Sequence, residues 1–203
     1  MIETLLLDVD GVLVSSSPEF ATAMDTEYAW RDGVAGFLRE LIRHPREADT
    51  LIGDGDILPL VEELLPAHVS GLSATEFLDR WFTENIVVNV ELINAIGRAG
   101  IKRVYLATNQ DRRRGTYIHE LFAQQPWHSG SLMSYDLGLA KPDPAYFAAA
   151  LDRIGVPAGD CVFVDDRQAN VDAARAAGIA AIQYRDLDRF TAELERLLGP
   201  RTG

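Results

Sequence analysis

The chain has 203 residues, 47% hydrophobic and 25% charged, which suffices for a full core in one good-sized domain or in a domain plus an insertion. Acidic residues number 31 against 19 lysines and arginines, a formal net charge of -12, which argues against nucleic acid or an anionic membrane as partner. Cys161 is the single cysteine, so an internal disulfide and a CxxC metal site are excluded, and its apolar surroundings read as those of a small buried hydrophobe.

The first apolar run, at 4–7, reads as a buried strand and is followed at once by Asp8 and Asp10. It is far too short for a signal peptide, and no stretch approaches the ~20 apolar residues of a membrane span, so a cytoplasmic location is expected. From about Ser15 to Gly100 the pattern is helix after helix, with no convincing strand. Helical spacing covers 19–28 and 34–42. Gly53-Asp54-Gly55-Asp56 reads as a turn that leads into an N-cap at Asp56 for 57–65. Ser73 and Glu76 form a capping-box pattern ahead of Phe77, Trp81 and Phe82, and Asn89 starts a helix stopped by Gly100. Trp30, Trp81 and Phe82 read as the core of this block.

Further apolar runs follow at 103–107, 131–134, 161–164 and 180–184, alternating with helical patterns. The helices cover 112–124, a stretch begun by Asp143 and Pro144 and stopped by Gly155, the alanine-rich 169–177, and a last one with Phe190, Leu194, Leu197 and Leu198 before Gly199 and Pro200. The strand runs are continuous rather than alternating, as in a parallel sheet covered on both faces, and the order argues for a doubly wound α/β fold. An all-helical block between its first and second strands is an insertion. The expected division is a core of residues 1–14 and 101–203 and a helical cap of residues 15–100.

Polar residues cluster after the strands: Asp8 and Asp10 after the first, Thr108 and Asn109 after the second, Lys141 in the loop after the third, Asp165 and Asp166 after the fourth. In open α/β sheets the ligand site lies outside the carboxyl ends of the strands, so these groups converge. Two carboxylates at i and i+2, leaving a buried strand, repel each other unless something positive sits beside them, and a hard cation such as Mg²⁺ meets that need with oxygen ligands. Arg112, Arg113 and Arg114 read as a solvated basic turn, with contact to an anionic substrate or to the acidic insertion as the alternative. His44, His68, His119 and His128 form no metal spacing.

The run Leu5-Leu6-Leu7-Asp8-Val9-Asp10-Gly11-Val12-Leu13 resembles the first motif of the haloacid dehalogenase-like (HAD) hydrolase superfamily. Leu106-Ala107-Thr108-Asn109 is similar to its second, Gly138-Leu139-Ala140-Lys141-Pro142-Asp143 to its third, and Val162-Phe163-Val164-Asp165-Asp166 to its fourth, extended by Arg167, Asn170, Ala173, Ala174 and Gly178. The four occur in the family's order. The C-terminal half is most similar to the branch of sugar-phosphate phosphatases and the phosphatase domain of bifunctional epoxide hydrolases.

The resemblance implies a Rossmann-like core with an inserted helical C1 cap, and an Mg²⁺-dependent phosphatase acting on a small phosphorylated metabolite. Asp8 would attack phosphorus and form an aspartyl phosphate. Asp10 would protonate the leaving oxygen, then activate the water that hydrolyses the intermediate, and its backbone carbonyl would join Asp8, Asp165 and, directly or through water, Asp166 around the metal. Thr108 and the Asn109 amide would bind the transferring phosphoryl oxygens, Lys141 would offset charge, and Gly11 would give the chain room to turn beside the substrate. Asn170 fits a supporting role beside Asp165. A phosphomutase needs the same acid at Asp10. A HAD-like binding protein without turnover is the rival of another class, and a dehalogenase, whose halide leaves without a proton, ranks after both. The implied partner is a small phosphate ester. Neither charge nor surface apolar residues indicate an oligomeric state.

Overall fold

The computed structural model describes residues 2–199. Among them Thr4–Leu7 (β1) is the central strand of a parallel sheet, with every side chain buried. A two-residue strand, Val14–Ser15 (β2), pairs antiparallel with Val87–Val88 (β3) outside that sheet. The remaining sheet strands are Arg103–Thr108 (β4), His128–Met133 (β5), Cys161–Asp165 (β6) and Ala180–Gln183 (β7), in the order β5-β4-β1-β6-β7. Leu7 lies level with Leu106 of β4 and Val164 of β6, so the residues after these positions leave the sheet along one edge.

The continuous apolar runs have a direct explanation. Successive strand residues point to opposite faces. Leu5, Leu7, Val104, Leu106, Val162 and Val164 enter one core, whereas Leu6, Ala107, Cys161 and Phe163 enter the core on the other face. Cys161 is fully buried there, as a small hydrophobe.

Between β2 and β3 the chain forms Pro18–Glu27 (α1), Gly33–Arg43 (α2), Pro45–Leu51 (α3), Ile57–Leu64 (α4) and Ala74–Glu84 (α5). These helices have a third core of their own. Phe37 and Phe77 are fully buried in it with ring centroids 5.0 Å apart in an edge-on contact, and Trp30 and Trp81 pack around them. Asp56 caps α4 through its bond from the Leu58 N–H, and Ser73 caps α5 by accepting from the Glu76 N–H. The Glu76 carboxylate is instead the acceptor for the Tyr28 hydroxyl, so the reciprocal half of the expected capping box is replaced by a link to α1.

Two features of this block depart from the sequence reading. The expectation of no strand between Ser15 and Gly100 is corrected by the β2–β3 ribbon, whose two-residue strands are too short to show a period. Helix α3 was not anticipated because Thr50 is its one buried residue, leaving no apolar stripe.

The sheet is covered on one face by Val90–Ala99 (α6) and Arg112–Phe122 (α7), through Leu92, Ile96, Ile118 and Phe122. A single helical turn, Ser134–Leu137 (α8), follows β5, so Ser134 opens a helix instead of closing the strand as expected. Pro144–Ile154 (α9) and Gln168–Ala176 (α10) cover the opposite face through Tyr146, Phe147, Val171 and Ala174. Leu187–Leu198 (α11) packs beside α6 and ends at Gly199; Pro200, expected as part of its stop, lies outside the described residues. No helix among the described residues is long and apolar enough to cross a membrane.

Candidate active site

Each polar residue singled out in the sequence is placed by the end of a strand or by a helix start. The Asp8 N–H donates to the Val164 carbonyl at 2.9 Å, which extends the β1–β6 ladder by one residue and fixes the direction of the side chain. The carboxylate is buried, and its Oδ1 accepts from the Val9 N–H at 2.8 Å and lies 2.9 Å from Lys141 Nζ. Lys141, also buried, donates to Asp165 Oδ2 at 2.6 Å and to the Ala107 carbonyl at 2.8 Å. All three ammonium donors thus have acceptors.

Asp165, the last residue of β6, is fully buried and accepts from the Arg167 N–H at 2.8 Å and from Asn170 Nδ2 at 3.0 and 2.9 Å. Asn170 therefore braces Asp165. Asp166 is exposed. Carboxylate oxygens of Asp8, Asp165 and Asp166 lie within 4.8 Å of one another.

Charge at this cluster does not balance. Three carboxylates face one ammonium, with the exposed Arg167 guanidinium nearby. Burial pushes the Asp8 carboxyl up to about 7, Lys141 opposes that, and the charge of Asp165 adds to it. Asp166 is likewise raised by burial and by Asp165, with Arg167 and Lys141 in opposition. A divalent cation with oxygen ligands fits this set: hard anionic donors, close together, carrying an uncompensated negative charge.

Gly11 has φ of +79°, and a Cβ there would lie 2.6 Å from Asp166 Oδ2. The first loop and the loop after β6 therefore approach each other at a point where only hydrogen fits. Asn109 has its side chain committed elsewhere: Nδ2 donates to the Lys141 carbonyl at 2.8 Å and Oδ1 accepts from the Lys141 N–H at 2.9 Å. This reciprocal pair holds the loop after α8 against the end of β4. Thr108 is buried, and its Oγ1 accepts from Gln110 Nε2 at 3.2 Å.

Asp10 does not join the Lys141 cluster. Its Oδ2 accepts from Arg114 Nη1 at 2.6 Å and from Gln110 Nε2 at 2.7 Å, and its Oδ1 accepts from Arg114 Nη2 at 2.7 Å. Desolvation would raise this carboxyl, but the Arg114 charge and the bonds from Arg114 and Gln110 outweigh it and hold Asp10 below the usual carboxylate range.

The reading of Arg112–Arg114 as a solvated turn holds for the exposed Arg112 and Arg113 and is corrected for Arg114, while Arg113 makes the contact with the insertion that stood as the alternative. Arg114 has a side chain only 12% exposed, while Arg113 bonds Asp56 of the insertion at 2.6 and 2.7 Å and Arg112 lies over the Tyr135 ring at 4.9 Å. Asp111 makes these cations tolerable at a helix start, because its carboxylate caps α7 by accepting from the Arg113 and Arg114 N–H groups.

Gln110 and Arg114 are the site residues the sequence reading missed. The available signal was that Gln110 directly follows Thr108 and Asn109 at the end of the second strand.

A parallel sheet with carboxylates, an ammonium and a hydroxyl brought to one edge between a helical insertion and the strand tips defines a Rossmann-like α/β hydrolase. The chain belongs to the haloacid dehalogenase-like hydrolase family, whose family model matches residues 2–178. It is 25% identical to bifunctional epoxide hydrolase 2 of Sus scrofa over 96% of its own length, and spans 38% of that protein. It is 26% identical to a phosphoglycolate phosphatase of Pseudomonas savastanoi, covering 88% of this chain and 67% of the relative. Its fold is similar to that of a HAD family enzyme of Bacteroides thetaiotaomicron solved in complex with magnesium and inorganic phosphate, with a TM-score of 0.71, 18% identity and coverage of 91% of this chain and 95% of the other.

Proposed function

We propose that this hydrolase is an Mg²⁺-dependent phosphatase that removes phosphate from a small phosphorylated metabolite through an aspartyl phosphate on Asp8. The observation that carries the reading is the buried Asp8–Lys141–Asp165 bridge beside Asp166, a cluster whose negative charge exceeds what Lys141 supplies. Asp8, Asp165 and Asp166, with the Asp10 carbonyl, would hold the metal, which when bound shields the nucleophile from the anionic ester and stabilises charge on the phosphoryl group. The phosphatase names among the relatives support the same reaction class.

The remaining work falls to side chains of this chain. Asp8 Oδ1 is held by Lys141 and by the Val9 N–H, so Oδ2 is the oxygen that attacks phosphorus. Lys141 stays in place beside the entering phosphoryl group. The Thr108 hydroxyl and the Asn109 backbone N–H donate to the phosphoryl oxygens, since the Asn109 side chain is committed to Lys141. Asp10 hands a proton to the leaving oxygen and takes one from water in the second step. Helices α1–α5 of the insertion act as the cap, closing over the sheet edge to exclude water from the first step and to select the leaving group.

The test is release of inorganic phosphate from a panel of phosphorylated metabolites with Mg²⁺, with Asp8→Asn as the blank. The expected result is turnover with at least one small ester that EDTA and Asp8→Asn each abolish. Turnover that survives Asp8→Asn, or none with any ester, overturns the reading. An isomerised sugar phosphate without free phosphate would assign a mutase instead.

A further inference from the structure

The basic turn at the start of α7 is a sequence feature that the proposed reaction does not itself use. A carboxylate offers about four lone-pair positions, two on each oxygen. On Asp10 three are filled: Oδ2 by Arg114 Nη1 and Gln110 Nε2, Oδ1 by Arg114 Nη2. The fork of the guanidinium fixes the plane of the carboxylate, because both N–H bonds must stay in line with it. The Gln110 bond pins Oδ2 against rotation.

The two donors are themselves held. Gln110 donates to Thr108 Oγ1 at 3.2 Å and its Oε1 accepts from Arg114 Nη1 at 2.8 Å, while its backbone N–H donates to Ser134 Oγ at 2.9 Å. Arg114 lies 6.0 Å from the ring centroid of Trp81, which α5 of the insertion supplies. Its buried Nε has no acceptor among the described residues, a cost of roughly 1–3 kcal/mol that its paired face offsets. Asp10 by contrast keeps a side chain 50% exposed, and without these partners it would turn freely.

We infer that Arg114 and Gln110 are positioning residues for Asp10, turning its carboxylate so that one acceptor position, on Oδ1, faces the reacting oxygen. The inference rests on the phosphatase reading and adds the atom and the residues that aim it. In the first step the Asp8 Oδ2–phosphorus bond forms, the phosphorus–leaving-oxygen bond breaks, and the proton that Asp10 Oδ1 takes up when the anionic ester binds passes to that oxygen. In the second step water attacks phosphorus, its proton returns to Asp10 Oδ1, and Asp8 is released with inorganic phosphate.

The test separates aim from bulk structure through the leaving group. kcat/KM covers the steps up to its departure, and p-nitrophenolate departs without a proton whereas an alkoxide does not. For the best alkyl phosphate of the metabolite screen, Arg114→Gln is expected to lower kcat/KM about a hundredfold. The ratio of kcat/KM for p-nitrophenyl phosphate to that for the alkyl ester is expected to rise about tenfold or more. Arg114→Lys, which keeps the charge and loses the fork, should fall between Gln and wild type. Gln110→Met should shift the ratio in the same direction, and it carries the test if the Arg114 variants do not fold.

Equal losses on both esters would make Arg114 a structural residue, and full rescue by Lys would make it a charge without aim; either result overturns the inference. Absence of turnover in the wild type would overturn the phosphatase reading and this inference together. An active wild type with an unchanged ratio overturns the inference alone.

Discussion

Between Asp10 and Val12 the chain turns through a positive φ while passing against the Asp166 carboxylate, and both demands fall on Gly11. An alanine there pays the left-handed backbone cost of roughly 1–2 kcal/mol and drives its methyl into Asp166. Gly11→Ala should therefore damage the acidic cluster more than the fold. The expected outcome is an Mg²⁺ requirement raised about tenfold or more, of the size seen when groups supporting a metal ligand move, with a melting temperature lowered by only a few degrees. A titration of turnover against Mg²⁺ beside a thermal melt checks it, and an unchanged Mg²⁺ requirement would mean that Asp166 does not contribute to the ion's site.

At the same scale, the residues that stand at strand ends could be read from the sequence. Asp8, Thr108 and Asp165 stand at the ends of hydrophobic runs whose burial is unmistakable, and an edge shared by parallel strands brings them together, whereas Lys141 lies in the loop after α8 and is tied there through Asn109. Gln110 and Arg114 could not be read that way. Nothing in their local spacing says that a helix start aims them back across the sheet edge at Asp10. The choice between a solvated arginine and a buried one depends on a partner about a hundred residues away.

At the scale of elements, legibility follows length and apolar periodicity. The sheet strands and the helices that cover them carry buried stripes and were readable to within a few residues, whereas the β2–β3 ribbon and α3 carry none. The junction that the ribbon helps to build depends on Asn89. Its Oδ1 accepts from the Leu92 N–H at 3.0 Å and caps α6, its N–H donates to the Leu13 carbonyl, and its Nδ2 donates to the Tyr184 hydroxyl at 2.8 Å. The cap was visible in the sequence; the link to Tyr184, just past β7, was not. Asn89→Ala removes a cap worth about 1 kcal/mol and leaves part-buried groups without partners, for a total of roughly 2 kcal/mol. In a chain of this size that corresponds to about 4–8 °C in melting temperature. Asn89→Asp keeps the cap and loses the donor to Tyr184, so it should fall between the two. A loss in Asn89→Asp equal to that of Asn89→Ala would show that the cap contributes nothing.

For the whole molecule, the same charge imbalance that suits a divalent cation makes the metal-free protein sensitive to pH. Asp8 titrates near 7 when folded, against an ordinary value of 3.8, because burial and Asp165 outweigh Lys141. A group raised in this way contributes stability that is complete below its unfolded pKa and is lost as pH rises through the folded value. The window is therefore about pH 4 to 7. Glu47 of α3 is also pushed up to about 7, by burial and by Asp111 against the opposing Arg167, and loses stability in the same direction. Asp10, held low by Arg114 and Gln110, acts in the opposite sense at more acid pH and does not enter this window. In EDTA, then, the melting temperature of the wild type should fall between pH 5 and 8. Asp8→Asn should flatten the Asp8 share of that slope and be the more stable protein at pH 8, and Asp8→Asn with Glu47→Gln should flatten it further. Mg²⁺ added to the wild type at pH 8 should restore what deprotonation removed, because an ion bound only by the folded state adds its binding free energy to stability. Wild-type and Asp8→Asn melting curves that run parallel across this range would show that Asp8 carries its charge at no cost, and that Lys141 alone balances the cluster.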